Sequence, residues 1–313
     1  MVKSSVLITG ASGFLGKYLF DRYDIENWDI VSVGRRSISS RHFHIDCDLS
    51  NQVLTLPNVP FDKVVHVAGK AHVFPKTQKE IESFYTVNVQ GTRNLLNALN
   101  KLDIKPDTIV FISTIAVYGK DTGILITEDA PLLSESPYGL SKIQAEELIK
   151  NWAIQNNVNY LLLRLPLIAG ANPPGNLGTM KRAILNGNYI RMKGNSSQKS
   201  VVVASDVADF IFKIRNKSGI YNLTDGKHPT FFQIENAIEK RLGRKIKLSI
   251  PHSVVKIMAK IGDIVSSIVG KEMILTTTVL TKIKSDLTFD DSKARQEVNW
   301  TSNQALDFVE KYL

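Results

Sequence analysis

A single cysteine, Cys47, stands in 313 residues, which excludes an intramolecular disulfide and any zinc site built from several thiolates. With no basic-then-apolar leader ahead of SVLITG, it predicts a reducing, cytoplasmic setting. Long apolar runs are missing too: nothing approaches the roughly 18 residues that a membrane span needs. The nearest, VVKIMAKIGDIVSSIVG at 254–270, is interrupted by Lys256, Lys260 and Asp263 and reads as an amphipathic helix. Its apolar face is expected to pack on the protein, with a membrane-surface or partner contact as the alternative. His66, His72 and His228 lack the spacing of metal ligands, so structural roles and no metal are expected. Acid is in deficit: 39 Lys and Arg against 30 Asp and Glu leave a formal +9, with a visible cluster in KRLGRKIK at 240–247. Such a balance favours anionic ligands. Because no aromatic-interleaved basic stretch or recognition-helix pattern accompanies it, the cluster reads as a solvated face and nucleic acid is not an expected partner.

What is present is an alternation. SVLITG, DIVSVG, HFHID, KVVHVAG, TIVFIST and YLLLRLPLI are short Val/Ile/Leu-rich runs, most of them separated by amphipathic stretches of helical length. Near-continuous apolar strands between helices predict a doubly wound parallel sheet in an α/β fold. Beyond residue 166 the pattern loosens through ANPPGNLG into shorter, more charged elements. The expected division is a nucleotide-binding domain over 1–166 and a smaller substrate-binding lobe over 167–313, with some later segments returning to the first domain.

TGASGFLG at 9–16 follows the first strand and opens a helix. Gly10 suits the sharp turn, Gly13 close approach of a pyrophosphate and Gly16 close helix packing, so Ser12, Phe14 and Leu15 join the three glycines as expected dinucleotide contacts. At the end of the second strand Gly34 is followed by Arg35 and Arg36, and no Asp or Glu lies between Asp29 and Asp46. An acid here would bind the ribose diol of NAD, whereas an arginine pairs with a 2′-phosphate. NADP(H) is therefore preferred, with NAD(H) as the alternative, and Arg35 is the stronger of the two candidates. Asp48 and Leu49 follow the third strand on the adenine side. Ala68, Gly69 and Lys70 follow the fourth, towards the pyrophosphate and ribose, although Lys70 reads equally as a surface lysine.

SPYGLSK sets Tyr138 and Lys142 four positions apart on a helix, on one face, where an ammonium can lower the pKa of a phenol. The set TGASGFLG, HVAGKAH, VNVQGT, FISTIAVYG, YGLSK, NPPGNLG and DDSKARQEVNW, in this order, resembles the extended short-chain dehydrogenase/reductase superfamily, in its nucleotide-sugar epimerase/dehydratase branch. The resemblance implies a Rossmann fold, Tyr138 as acid/base, Lys142 as its partner and as a ligand of the nicotinamide ribose, and Thr114 as the hydroxyl that positions the sugar oxygen, with Ser113 as the alternative. It also implies Asn88 near the cofactor, Asn176 and Leu177 at the sugar nucleotide, Lys199 near a phosphate, and a homodimer through the helices around residues 80–100 and Tyr138. Ile115 and Ala116 stand where the branch's 4,6-dehydratases carry an Asp-Glu pair, so dehydration is not expected. Arg164-Leu165-Pro166-Leu167, in place of Arg-Tyr-Phe-Asn, together with the arginines after Gly34, favours a reductase of a UDP-4-keto-6-deoxy-N-acetylhexosamine over a nucleotide-sugar 4-epimerase. A non-catalytic NADP(H) sensor is a minor alternative.

Overall fold

The computed structural model describes residues 3–71, 73, 75–269 and 276–313; the expectation for His72 and the last residue of the 254–270 segment lie outside them. The chain opens with β1 (Ser5–Thr9), α1 (Phe14–Ile25), β2 (Asp29–Gly34), β3 (Phe43–Asp46) and β4 (Lys63–His66). Next come α2 (Gln78–Tyr85), one π-helical turn (Thr86–Gln90), α3 (Gly91–Asn100), β5 (Thr108–Thr114), β6 (Gly123–Ile126), α4 (Pro137–Gln155) and β7 (Asn159–Leu165). After these follow β8 (Leu167–Ala169), α5 (Gly175–Leu185), β9 (Ile190–Met192), β10 (Val201–Val203), α6 (Ala204–Lys213) and β11 (Gly219–Asn222). The last elements are α7 (Phe231–Leu242), β12 (Leu248–Ile250), α8 (His252–Val269), α9 (Thr277–Lys284), β13 (Leu287–Phe289), α10 (Ser292–Val298) and α11 (Ala305–Tyr312).

Seven strands form one parallel sheet in the order β3-β2-β1-β4-β5-β7-β11. The order reverses between β1 and β4, and ligands of such sheets bind beyond the carboxyl ends of the strands at that point. Both faces are covered, which is why the strands are apolar throughout. One face packs Leu15, Leu19 and Tyr23 of α1 with Val207 and Ile211 of α6 and with Val298 and Trp300. The other packs Leu95 and Leu99 of α3 with Ala145, Ile149 and Trp152 of α4. A separate core joins Leu177, Met180 and Ile184 of α5, Ile234 and Ile238 of α7, and Ala305 and Val309 of α11. Segments late in the chain thus serve the sheet: β11 is its edge strand, and α6 and α10 help to cover it.

Lys63 is buried at the start of β4, where its side-chain nitrogen donates to the carbonyls of Ile211, Phe212 (3.3 Å) and Ile214 (2.9 Å) at the end of α6. Burial pushes its pKa down to about 6.

The orientation of α8 corrects the expectation of an apolar face turned inward. Over residues 252–264, whose side chains are described, the buried positions are the small Ala259 and Gly262, while Val254, Ile257, Met258 and Ile261 are 43%, 60%, 44% and 55% exposed. The helix packs on α9, whose first-turn Thr277 N–H donates to Asp263 (3.1 Å). Among the described residues no helix is long and apolar enough to cross a membrane.

Candidate functional site

The turn between β1 and α1 is fixed by what cannot fit there. Gly10 has φ +72°, and a Cβ on it would lie 2.7 Å from the Ala68 backbone; a Cβ on Gly16 would lie 2.1 Å from the Gly10 carbonyl oxygen. Gly16 therefore packs helix onto turn, a closer contact than helix onto sheet. Gly13 caps α1 without any side-chain hydrogen bond, so the first main-chain N–H groups of the helix face outward as anion donors. Ser12 is half-buried, Leu15 packs into the core, and the half-buried Phe14 ring lies against Gly170. These features fit a dinucleotide pyrophosphate.

At the end of β2, space is open beside Gly34, and Arg35 and Arg36 are exposed. The Asp48 carboxylate accepts from Ser50 N–H (3.0 Å) and Ser50 Oγ (2.6 Å), which holds its pKa below the usual range with help from the Arg35 charge. Leu49 turns into the core, and its carbonyl accepts from Asn94 (2.7 Å).

Beyond β4, Asn88 lies within the π-helical turn and is fully engaged. Its Oδ1 accepts from Lys70 N–H (2.7 Å), and its Nδ2 donates to the Lys70 carbonyl (3.1 Å) and to Ser141 Oγ (2.9 Å). It clamps the Ala68-Gly69-Lys70 loop to α4. The Lys70 ammonium donates to Ser83 and lies 5.3 Å from the Phe84 ring, so it rests on α2. His66 bridges Thr9 (2.6 Å) and Thr92 (2.9 Å), with its pKa pushed down to about 3 by burial. His228 bonds Ser200 at 3.0 Å.

α4 starts at Pro137, with Ser136 Oγ accepting from Gly139 N–H (3.1 Å). Gly139 is where this helix crosses the turn after β5: a Cβ there would lie 2.8 Å from the Ala116 carbonyl oxygen. That approach sets the Tyr138 phenol beside the Thr114 hydroxyl, near enough to bear on its pKa, while Thr114 Oγ1 accepts from Ala116 N–H (3.2 Å). Ser113 is not free to substitute for Thr114, because its hydroxyl donates to the buried Glu146.

The expected depression of the Tyr138 pKa is not met in this arrangement. Burial pushes the phenol above its usual range, and the neighbouring Thr114 hydroxyl only partly offsets that. Lys142 donates to the Ile112 carbonyl (2.6 Å) and lies 3.9 Å from the centre of the Phe111 ring. Its pKa falls to about 7 because burial disfavours the charge more than Glu146 supports it. A Cβ on Gly69 would lie 3.9 Å from its ammonium, so the lysine reaches the cofactor-side loop.

Behind these residues lies a network that sequence reasoning missed. Arg164 on β7 pairs with Glu146 on α4 through two hydrogen bonds (3.1 and 2.8 Å) and donates to Tyr118 Oη (3.1 Å), which donates to Asn222 (2.8 Å) on β11. Glu146 and Arg164 are both buried. A charge inside the apolar run IQAEELI and another inside LLLRLPL were the signal, since buried charges require partners.

On the lobe, Asn176 is exposed in the first turn of α5, whereas Leu177 belongs to the lobe core. Lys199 departs from its expected role. Its ammonium is buried and donates to the carbonyls of Lys282 (3.0 Å) and Ser285 (2.7 Å), capping the end of α9 and spending two of its three donors there.

Residues 6–224, from the pyrophosphate turn through the Tyr138 helix to β11, match the model of the NAD dependent epimerase/dehydratase family. The chain belongs to that family. A relative from Escherichia coli O157:H7, N-acetyl-alpha-D-glucosaminyl-diphospho-ditrans,octacis-undecaprenol 4-epimerase, is 27% identical over 99% of this chain and 96% of its own. Among solved structures, the UDP-glucose 4-epimerase of Thermotoga maritima with UDP-glucose superposes with a TM-score of 0.75 at 16% identity, covering 98% of this chain and 97% of that one. The UDP-glucuronic acid 4-epimerase of Bacillus cereus, solved with UDP-glucuronic acid and NAD, gives 0.75 at 19% identity, covering 98% and 97%. This family member is thus an NAD(P)-binding α/β enzyme of the nucleotide-sugar branch, and the relatives that it resembles are named as 4-epimerases, which lends no support to the preference for a reductase.

Proposed function

We propose that this protein is a 4-epimerase of a hexose carried on a diphosphate, the feature shared by the sugar nucleotides and the polyprenyl-linked sugar of its relatives. The observation that carries the reading is the convergence of Thr114, at the carboxyl end of β5, with Tyr138 on the helix that also carries Lys142. A bound nicotinamide dinucleotide supplies the acceptor and donor of the C4 hydride. The residues proposed to hold it are Gly10, Ser12, Gly13 and Gly16, the loop 68–70 bracketed by Asn88, and Lys142. Thr114 orients the C4 oxygen. Tyr138 takes the C4 hydroxyl proton in oxidation and returns it in re-reduction. As it stands, the high phenol pKa makes Tyr138 a proton donor, and becoming a base requires positive charge brought beside it. We assign the sugar side mainly to residues 167–313, with the first turn of α5 at Gly175 and Asn176 facing the diphosphate, and expect a homodimer through α3 and α4.

A second reading, net reduction of a 4-keto sugar nucleotide by NADPH, is favoured by one observation: exposed Arg35 and Arg36 follow β2 where no acid is available for a ribose diol. One experiment separates the two. The purified chain is incubated with UDP-glucose, UDP-N-acetylglucosamine, polyprenyl-diphosphate N-acetylglucosamine and a UDP-4-keto-6-deoxy sugar, each with NAD(H) or NADP(H), while C4 configuration is followed by NMR and the cofactor by absorbance. C4 inversion without net cofactor consumption supports the epimerase. NADPH oxidation with the keto sugar alone replaces it by the reductase, and cofactor binding without turnover of any sugar overturns both.

A further inference from the structure

Over residues 252–264, helix α8 has an unusual distribution of side chains: Ala259 and Gly262 are buried while Val254, Ile257, Met258 and Ile261 face solvent. At ~100° per residue, Val254, Ile257, Met258 and Ile261 fall within an arc of roughly 100°. Lys256 and Lys260, both exposed, lie on the flank next to Ile257. The strand pair just upstream sets Ile190 beside Leu248, 50% and 52% exposed. An exposed apolar stripe edged by lysines on a helix that cannot span a bilayer is the pattern of in-plane interfacial insertion.

Charge points to the same occupant. Residues 240–264 hold seven Lys and Arg against one acid, Asp263, so this short segment carries +6 of the chain's formal +9. Asp263 faces α9, where it accepts from Thr277 N–H, and does not offset the exposed lysines. Arg241, Arg244, Lys245 and Lys247 are exposed as well. Anionic headgroups attract such a cluster, whereas a second copy of the same basic surface repels it.

We propose that α8 and the basic segment before it dock this protein on the surface of an anionic phospholipid bilayer, with Val254, Ile257, Met258 and Ile261 entering the headgroup boundary and Lys256 and Lys260 at the phosphates. The docking does not depend on which glycosyl diphosphate is turned over.

The test is flotation of the full chain with vesicles of phosphatidylcholine alone or mixed with phosphatidylglycerol, at low and high salt. The expected result is at least about tenfold stronger partition onto the anionic vesicles, weakened by salt, and a loss of about tenfold in both the Ile257→Asp/Ile261→Asp and the Lys256→Glu/Lys260→Glu variants. All four positions are exposed, so thermal unfolding should match wild type, and the lysine variant alone carries the test if the apolar one fails to fold. Equal partition onto both vesicle types, or variants that bind like wild type, overturns the proposal. Sedimentation showing that Ile257→Asp/Ile261→Asp dissociates an oligomer without changing vesicle binding assigns the stripe to a second copy instead.

Discussion

Replacing Glu146 by Gln tests the network behind the proton-handling residues. The carboxylate accepts two hydrogen bonds from Arg164 and one from Ser113, all out of contact with water. The amide keeps the shape but removes the charge and turns an N–H₂ group towards either the guanidinium or Ser113. Leaving one partner of a buried ion pair uncompensated costs about 3–5 kcal/mol. At roughly 2 °C per kcal/mol for a chain of this size, Tm should fall by about 6–10 °C in calorimetry. Glu146→Leu with Arg164→Met, which removes both charges, should recover most of that loss, giving a coupling of about 3 kcal/mol in the double-mutant cycle. A second readout separates this network from mere packing. Glu146 is the charge that raises the Lys142 pKa against burial, so in Glu146→Gln the lysine should lose its proton below about pH 7, moving the alkaline limb of the activity profile acidward. A drop in Tm of under about 2 °C together with an unshifted profile would refute the reasoning.

Tyr138→Phe should keep dinucleotide binding, measured by fluorescence or calorimetry, and lose about 10²–10⁴ in turnover; near-normal rates would remove Tyr138 from the chemistry. Gly16→Ala places a methyl group against the Gly10 carbonyl, so cofactor affinity should collapse with only partial loss of helicity, and unaltered affinity would contradict the geometry. Lys63 and Lys142 have folded-state pKa values of about 6 and about 7, below the roughly 10.4 of an unfolded lysine. Between those values the unfolded chain binds more protons, so both groups make stability rise with pH from about 7 towards 10. Lys63→Met should flatten part of that slope in urea titrations at several pH values, and an unchanged slope would deny that the lysine is buried neutral.

The doubly wound sheet was legible because buried parallel strands leave unbroken Val/Ile/Leu runs, and the β1–α1 turn because only glycine permits its contacts. Tyr138 and Lys142 were singled out by spacing and resemblance and Thr114 by resemblance alone; the structure sets the three near one another and occupies Ser113 with Glu146. Lys199 misled because a lysine that binds phosphate and one that caps a helix look identical until α9, more than 80 residues away, is in place. The α8 segment showed two faces but not which one turns inward, since that depends on how the helix docks on α9, which arrives later in the chain. The Glu146–Arg164 pair was legible in principle: each charge interrupts an apolar run, and each needs the other.

Asn222 is the far end of that network, accepting from Tyr118 Oη while donating to the carbonyls of Ile126 (3.1 Å) and Asp290 (3.2 Å). The order of synthesis follows from this. When α4 leaves the ribosome, the edge strand that completes its buried charge network is still more than 60 residues from being made, and the Asp290 segment is later still. The first half of the chain therefore cannot settle as an independent unit during translation. A truncation before residue 222 should yield a sheet with an open edge and an unfinished ion-pair network, and such a fragment is prone to strand-edge association.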